Sequence, residues 1–227
     1  NGVSLDDFKN SRLKKLVPIS FCKSGIILKK KKIVLDSAII LNHGLNGEDG
    51  MSSALLEFYD IPYVGSNMYS SSIALDKGNA DLILRNFDVP IVKKDILNAG
   101  ETNIDKIFEK CIIKPARLGS SIGINVCKSK DEFKDKLENA FMYDSKVVVE
   151  ELLEDFKEYN LALYKTDKYY FSFPEEVKKE HEILDFEDKY ISRIKENTHK
   201  IVTDVEVIKK LEEIAVKVYD AFDLSGI

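Results

Sequence analysis

The sequence predicts a mixed α/β protein: a partial parallel α/β unit, then short strands and amphipathic helices in antiparallel arrangement. Two observations carry this. Apolar runs flank a helical pattern over residues 32–65, giving strand, helix and strand in that order, the mark of a parallel sheet. Beyond residue 90, two strands flank a tight Gly-Ser-Ser turn, and Tyr159–Tyr164 with Tyr169–Phe173 alternate like an antiparallel pair. The 227 residues are enough for one large domain or two smaller ones, and 44% hydrophobic with 32% charged residues fits a globular chain. A net charge of −5 argues against a nucleic-acid partner. No apolar stretch approaches the ~18 residues of a membrane span, and no signal pattern opens the chain. Cys22, Cys111 and Cys127 are odd in number and lie in apolar runs, which fits reduced core thiols in a cytoplasmic protein without a zinc site.

Taken in order, residues 1–21 give a weak signal. Ile26–Leu28 and Lys32–Leu35 read as strands joined by the turn at Lys29–Lys32, and Ser37–Asn42 as a buried strand. Met51–Tyr59 is helical, with Leu55, Leu56 and Tyr59 on one face, and Pro62–Gly65 is a short strand or turn. Ser70–Asn86 reads as one long helix capped by its serine cluster. Pro90–Ile96 is a strand and Asn103–Lys110 a helix. Two strands then flank the small-residue loop within Lys114–Ile124. Ser129 and Glu132 form a capping box for a helix to Phe141. Lys146–Leu153 is an apolar strand, and Tyr159–Tyr164 with Tyr169–Phe173 an antiparallel pair. Residues 174–203 are polar and weakly periodic, which predicts a long flexible loop of functional type. Val207–Phe222 is an amphipathic helix with Ile208, Leu211, Ile214 and Val218 on one face.

Five constellations carry candidate chemistry. Lys114-Pro-Ala-Arg-Leu-Gly-Ser-Ser-Ile-Gly is the most telling: a lysine, open backbone N–H groups and two hydroxyls suit a polyphosphate. It is not the G-x-x-x-x-G-K-[ST] phosphate loop, and a glycine hairpin with a surface lysine is the plain alternative. Asn42-His-Gly-Leu-Asn-Gly-Glu-Asp-Gly50 falls at a strand's carboxyl end, where open parallel sheets bind ligands, but it also fits an ordinary turn. Lys77 lies in the Leu75-Asp76-Lys77 segment; alone it reads as a solvated helical lysine. Val147–Leu153 ends a β-branched run in Glu150 and Glu151, and by itself would be an amphipathic edge strand. Leu184–Tyr190 combines aromatic and charged residues, as a closing lid does.

Together, in order and spacing, these segments resemble the D-alanine–D-alanine ligases of the ATP-grasp superfamily. The matching stretches are His43–Gly50, Ile61–Ser66, Ala74–Lys77, Lys114–Gly123, Val148–Glu151 and Asp185–Tyr190. The resemblance implies an α+β ATP-grasp architecture. Residues 1–66 would be a partial N-terminal α/β substrate domain and 67–146 a central ATP-grasp subdomain. A truncated C-terminal subdomain would follow at 147–227, with a lid loop at 174–203. It implies ligation of two molecules of D-alanine through an acyl phosphate, at the expense of ATP, for peptidoglycan synthesis in a cytoplasmic homodimer.

The same resemblance assigns Lys77 and Lys114 to the ATP phosphates, with Ser121 near the γ-phosphate. It assigns Glu150, Glu151 and Leu153 to the adenine, Glu158 to the ribose, and Lys189 to a phosphate from the lid. Ser120, Tyr190 and His43 fall beside the reacting centre, Tyr190 bonding to the Ser120 loop. Relatives often carry lysine where Glu151 stands, so Glu151 would contribute through its backbone. Tyr190 favours an amine over a D-lactate nucleophile. The carboxylates that hold Mg²⁺ in relatives are expected beyond residue 227, so no metal ligand is assigned here and this stretch alone is expected not to turn over. A D-Ala–D-Ser ligase, another carboxylate–amine ligase and a non-catalytic nucleotide-binding fragment remain as alternatives.

Overall fold

The computed structural model describes residues 17–101, 108–177 and 199–226. Its first strands form an antiparallel meander, β1 (Ile19–Cys22), β2 (Gly25–Leu28) and β3 (Lys31–Val34). Lys29 and Lys30 make the second turn with φ of 48° and 66°, the twist a two-residue hairpin needs. The lysine run is therefore shared between a turn and a strand, and β1 lies largely in the stretch of weak sequence signal before residue 22. The parallel unit is present but small. β4 (Ala38–Ile39) pairs in parallel with β5 (Tyr63–Val64), and helix α1 (Met51–Phe58) crosses between them.

The long helix expected over 70–86 is two helices. α2 (Met68–Leu75) ends where Asp76 turns extended, at φ −76° and ψ 99°, and α3 (Lys77–Asn86) begins at the next residue. The serines do not cap α2; the Asn67 side chain accepts from the Ser70 N–H. Asp76 breaks the pattern because its carboxylate accepts from the N–H groups of Gly78 and Asn79, both at 3.0 Å, and so starts a new helix. Lys146 bonds the same carboxylate at 2.8 Å. Gly78 allows α3 to lie close to the sheet below, since a Cβ there would stand 2.8 Å from Cδ1 of Ile96.

That sheet is antiparallel, in the order β6 (Lys94–Asn98), β9 (Lys146–Glu151), β7 (Cys111–Pro115), β8 (Asn125–Cys127). Alternation gives it two unlike faces. Cys111, Ile113, Val147 and Val149 pack with Cys127 on Phe133, Leu137 and Ala140 of α4 (Phe133–Phe141), forming the main core. The opposite face carries Lys94, Ile112, Lys114, Val148 and Glu150, with Lys94 and Ile112 directly across from Glu150. Ser129 makes no side-chain cap for α4, which is entered through a single 3₁₀ turn; Glu132 accepts instead from the Lys128 N–H at 3.2 Å.

Two further antiparallel assemblies follow. β11 (Leu163–Lys165) pairs with β12 (Tyr169–Phe171). β10 (Glu158–Asn160) pairs instead with β13 (Glu175–Val177), and β13 with β14 (His199–Ile201). Both ends of the predicted loop 174–203 are thus strands, and residues 178–198 lie outside the described residues, as does most of the helix expected over 103–110. α5 (Val205–Ala221) packs through Tyr219 edge-on to Tyr169, and the chain after it returns to the start of α2, where Ser70 donates to the Asp223 carbonyl at 2.9 Å. Among the described residues no helix is long and apolar enough to cross a membrane.

Asp76 joins two helices and the sheet through one carboxylate. Replacing it with alanine should lower the unfolding free energy by about 2–4 kcal/mol, combining a lost cap with an unpaired Lys146. Asp76→Asn keeps an acceptor for the N–H groups and should lose less. Denaturant midpoints check both, and equal losses would show that the cap contributes nothing.

Candidate functional site

The polar face of the four-stranded sheet and the underside of α3 enclose a cleft of ≈ 230 Å³ lined by Lys77, Asp81, Lys94 and Glu150 among small and branched apolar side chains. Glu150 is its centre. β9 is the second strand of the sheet, so a carboxylate on its open face meets side chains from both neighbours. Lys114 of β7 bonds Oε2 at 2.5 Å, and Lys94 of β6 reaches Oε1 at 3.3 Å. Burial works to raise the pKa of Glu150, but the two lysines outweigh it and hold the carboxyl below its ordinary range.

Lys77 opens α3 at the edge of this cleft. Its Nζ donates to the carbonyls of Pro115 at 3.2 Å, Ala116 at 3.4 Å and Leu118 at 2.6 Å. Burial, and next the charge of Lys114, lower its pKa, against the pull of Glu150, Asp144 and Asp76. Three ammonium groups, Lys77, Lys94 and Lys114, therefore share one partly desolvated place with two carboxylates, Asp81 and Glu150. That is the electrostatic condition in which an anionic ligand gains most.

The loop that follows Lys114 is pinned on both sides. Lys77 ties its carbonyls. Arg117 pairs with Asp144, whose carboxylate also accepts the Arg117 N–H at 2.8 Å. Positive φ in this loop falls on Ser120 (54°), Ser121 (58°) and Gly123 (71°). Left-handed backbone costs roughly 1–2 kcal/mol per non-glycine residue, so the loop's anchors hold the two serines in place. Gly119 faces the 42–50 loop, where a Cβ on it would make an ordinary contact, 3.4 Å from Oε2 of Glu48. Glu48 belongs to the 42–50 loop, where it accepts from the Gly44 N–H at 2.7 Å and lies 3.7 Å from Nδ1 of His43. The structure thus brings the histidine loop and the serine loop face to face, although the His43 side chain itself is 80% exposed.

A family described as "D-ala D-ala ligase C-terminus" matches residues 81–227, more than half of the chain. The chain belongs to the D-alanine–D-alanine ligase family. It is 40% identical over 190 residues to the D-alanine–D-alanine ligase of Campylobacter lari, covering 81% of this chain and 54% of that protein. Among solved structures, the VanG D-Ala:D-Ser ligase from Enterococcus faecalis superposes with a TM-score of 0.80 at 27% identity, over 96% of this chain and 66% of that one. The D-alanine–D-alanine ligase from Bacillus anthracis complexed with ATP superposes with 0.66 at 26% identity, over 84% and 60%. The chain spans about half the length of the curated relatives it matches. Its α+β ATP-grasp class agrees with these neighbours.

Against the expectations drawn from the family, Lys77, Lys114 and Glu150 come together, with Ser120 and Ser121 on the loop that Lys77 holds. Glu151 ends β9 and gives its N–H to the Lys93 carbonyl at 3.0 Å. Leu153 follows on the surface, and Glu158 opens β10 in the next sheet. Lys189 and Tyr190 lie outside the described residues. The sequence reading missed Lys94, Asp81 and Asp144. Lys77, Asp81 and Arg85 recur every fourth residue, the spacing of one helix face, and that stripe was the available signal for Asp81. Among the described residues no group of three or more His, Cys, Asp or Glu could hold a metal ion.

Asp76, Asp144 and Glu150 are each held below the ordinary carboxylate range. In each, burial raises the pKa and is outweighed by bonds and charges, led by Lys146, Arg117 and Lys114 respectively. A depressed folded-state pKa stabilises above the unfolded value, roughly 4, and that stability is lost as pH falls through the folded value. The stability gap between wild type and Glu150→Gln should therefore be widest near neutrality and close as the solution is acidified. Denaturant midpoints across pH check this, and a pH-independent gap would remove the Glu150 charge from the balance.

Proposed function

We propose that the protein carrying this chain joins two D-alanines at the expense of ATP. The observation that supports it best is the convergence of Lys77 and Lys114 on the buried Glu150 beside the serine loop. Polyphosphate needs positive charge in a place with little water, and this cleft supplies it. Lys77 and Lys114 would hold the phosphates, and Ser121 the γ-phosphate. Glu150, Glu151 and Leu153 would line the adenine and Glu158 the ribose, with Lys189 closing from the lid. What supports the phosphate assignment is that Lys114 is already placed against an anionic oxygen.

Chemically, the γ-phosphoryl group passes to the carboxylate oxygen of the first D-alanine. The amine of the second then attacks the carbonyl carbon, a C–N bond forms, the amine loses a proton and phosphate leaves. Ser120 and Tyr190 would orient the activated carboxylate, with His43 beside the first D-alanine. Mg²⁺, when bound, would neutralise phosphate charge, and this reading assigns it no residue of the chain.

The proposed division is 1–66, 67–146 and 147–227, with a lid within 174–203. β9 opens the third unit in sequence yet pairs with strands of the second, so the two would share one sheet at the nucleotide. A cytoplasmic homodimer serving peptidoglycan synthesis completes the reading. D-serine as the second substrate is favoured as the alternative by the likeness to a D-Ala:D-Ser ligase.

The intact protein should form D-Ala–D-Ala and ADP when given D-alanine, ATP and Mg²⁺. Product with D-serine alone would select the alternative, and no ADP with either would refute both. Lys114→Ala should weaken ATP binding by at least about tenfold, the scale of one lost charge-assisted contact; unchanged affinity would count against its phosphate role. Tyr190→Phe should keep ATP affinity and lower turnover; wild-type kinetics would take Tyr190 out of the site.

A further inference from the structure

Beside the two lysines proposed for the phosphates lies a third, Lys94. Lys94 is more enclosed than Lys114, with side-chain exposures of 12% and 22%. It bridges two carboxylates, Oδ1 of Asp81 at 2.9 Å and Oε1 of Glu150 at 3.3 Å. Asp81 is itself buried on α3 and takes Arg85 on its other oxygen at 3.3 Å. Four ionised side chains thus run in line from α3 across β6 and β9 to β7: Asp81, Lys94, Glu150 and Lys114.

We propose that Lys94 is a positioning residue that holds Glu150 so that Lys114 is free to exchange its carboxylate partner for an anionic ligand. The inference rests on the nucleotide reading above, which names that ligand as a polyphosphate. The argument is one of charge balance. Lys114 at 2.5 Å from Oε2 cannot bind a phosphate at full strength while it neutralises Glu150. If it leaves, a carboxylate whose side chain is 11% exposed needs another counter-charge, because a buried charge stripped of its partner is among the costliest arrangements in a protein. Lys94 sits on the other oxygen and meets that need without moving. Arg85, Asp81, Lys94 and Glu150 sum to zero charge, so the group left behind is neutral once Lys114 departs. Oε2, released by Lys114, becomes an open acceptor beside the ligand.

The exchange predicts coupling between two lysines that do not touch the same oxygen. ATP binding to the intact protein is measured by calorimetry for wild type, Lys94→Met, Lys114→Met and the double variant, with thermal midpoints recorded for each. Lys94→Met should weaken ATP binding about tenfold, because Lys114 is then kept by Glu150. In the Lys114→Met background the same change should alter affinity less than about twofold, since Glu150 has no phosphate-binding lysine left to release. Lys94→Arg should restore most of the affinity. Asp81→Asn, which leaves Lys94 and Glu150 in place and serves if Lys94→Met fails to fold, should give a smaller loss in the same direction. Unchanged ATP affinity in both Lys94→Met and Asp81→Asn, or fully additive losses in the double variant, would overturn the inference while leaving the nucleotide reading intact. A wild-type protein that binds no ATP overturns that reading and the inference with it.

Discussion

A carboxylate buried between two lysines governs this structure. Glu150 sits on the second strand of a four-stranded sheet, on the face away from the apolar core, and its two oxygens are taken by different neighbours. Such a group is tolerated only with its charge matched. That requirement fixes the register of β6 and β7 against β9, because a shift by one residue would carry Lys94 and Lys114 to the core face. The same requirement creates the cleft, since the face that bears the charges cannot be covered by an apolar layer. α3 closes over it only at one end, where Gly78 lets the helix approach and Asp76 and Lys146 tie helix to strand.

Much of the site was legible in the sequence because its parts are local. The serine loop, the histidine loop and the two acids at the end of β9 are short, ordered segments whose residue types state their chemistry. The ends of the apolar strands were legible for the same reason. What was not legible depended on tertiary choice. Asp76 lies inside a continuous helical pattern, and only its bonds to Gly78, Asn79 and Lys146 reveal it as a break. Lys94 lies in the strand expected over Pro90–Ile96, but its partner appears only when β6 pairs with β9. The ends of the polar segment 174–203 form strands because each supplies the other's edge, which no periodicity within either end encodes. The residue types of the Lys114–Gly123 loop do not reveal that two of its left-handed positions are serines, Ser120 and Ser121.

That last difference bears on how the loop works. A glycine-rich phosphate loop wraps its ligand with freely adopted backbone. Here two non-glycine residues hold left-handed φ, a conformation that persists only when its surroundings over-determine it. The surroundings are identifiable: three carbonyls on Lys77, the Arg117–Asp144 pair, and Lys77's own N–H on the Ala116 carbonyl at 3.0 Å. Lys77 is therefore bound to the loop before any ligand arrives. Its charge reaches the cleft as part of the wall, with little side-chain entropy left to lose.

The two lysines thus differ in kind. Lys77 is held by neutral carbonyls, which satisfy its hydrogen bonds, and among the described residues it makes no direct ion pair. Lys114 is paired directly with a carboxylate, which it shares with Lys94. An approaching anion is attracted first by Lys77, and it gains the second only by displacing Glu150. Full engagement then requires an anion with charge enough to interact with both centres, which favours a polyphosphate over a single carboxylate. Discrimination of that sort arises from how the lysines are partnered beforehand, and their mere presence in the cleft would not produce it.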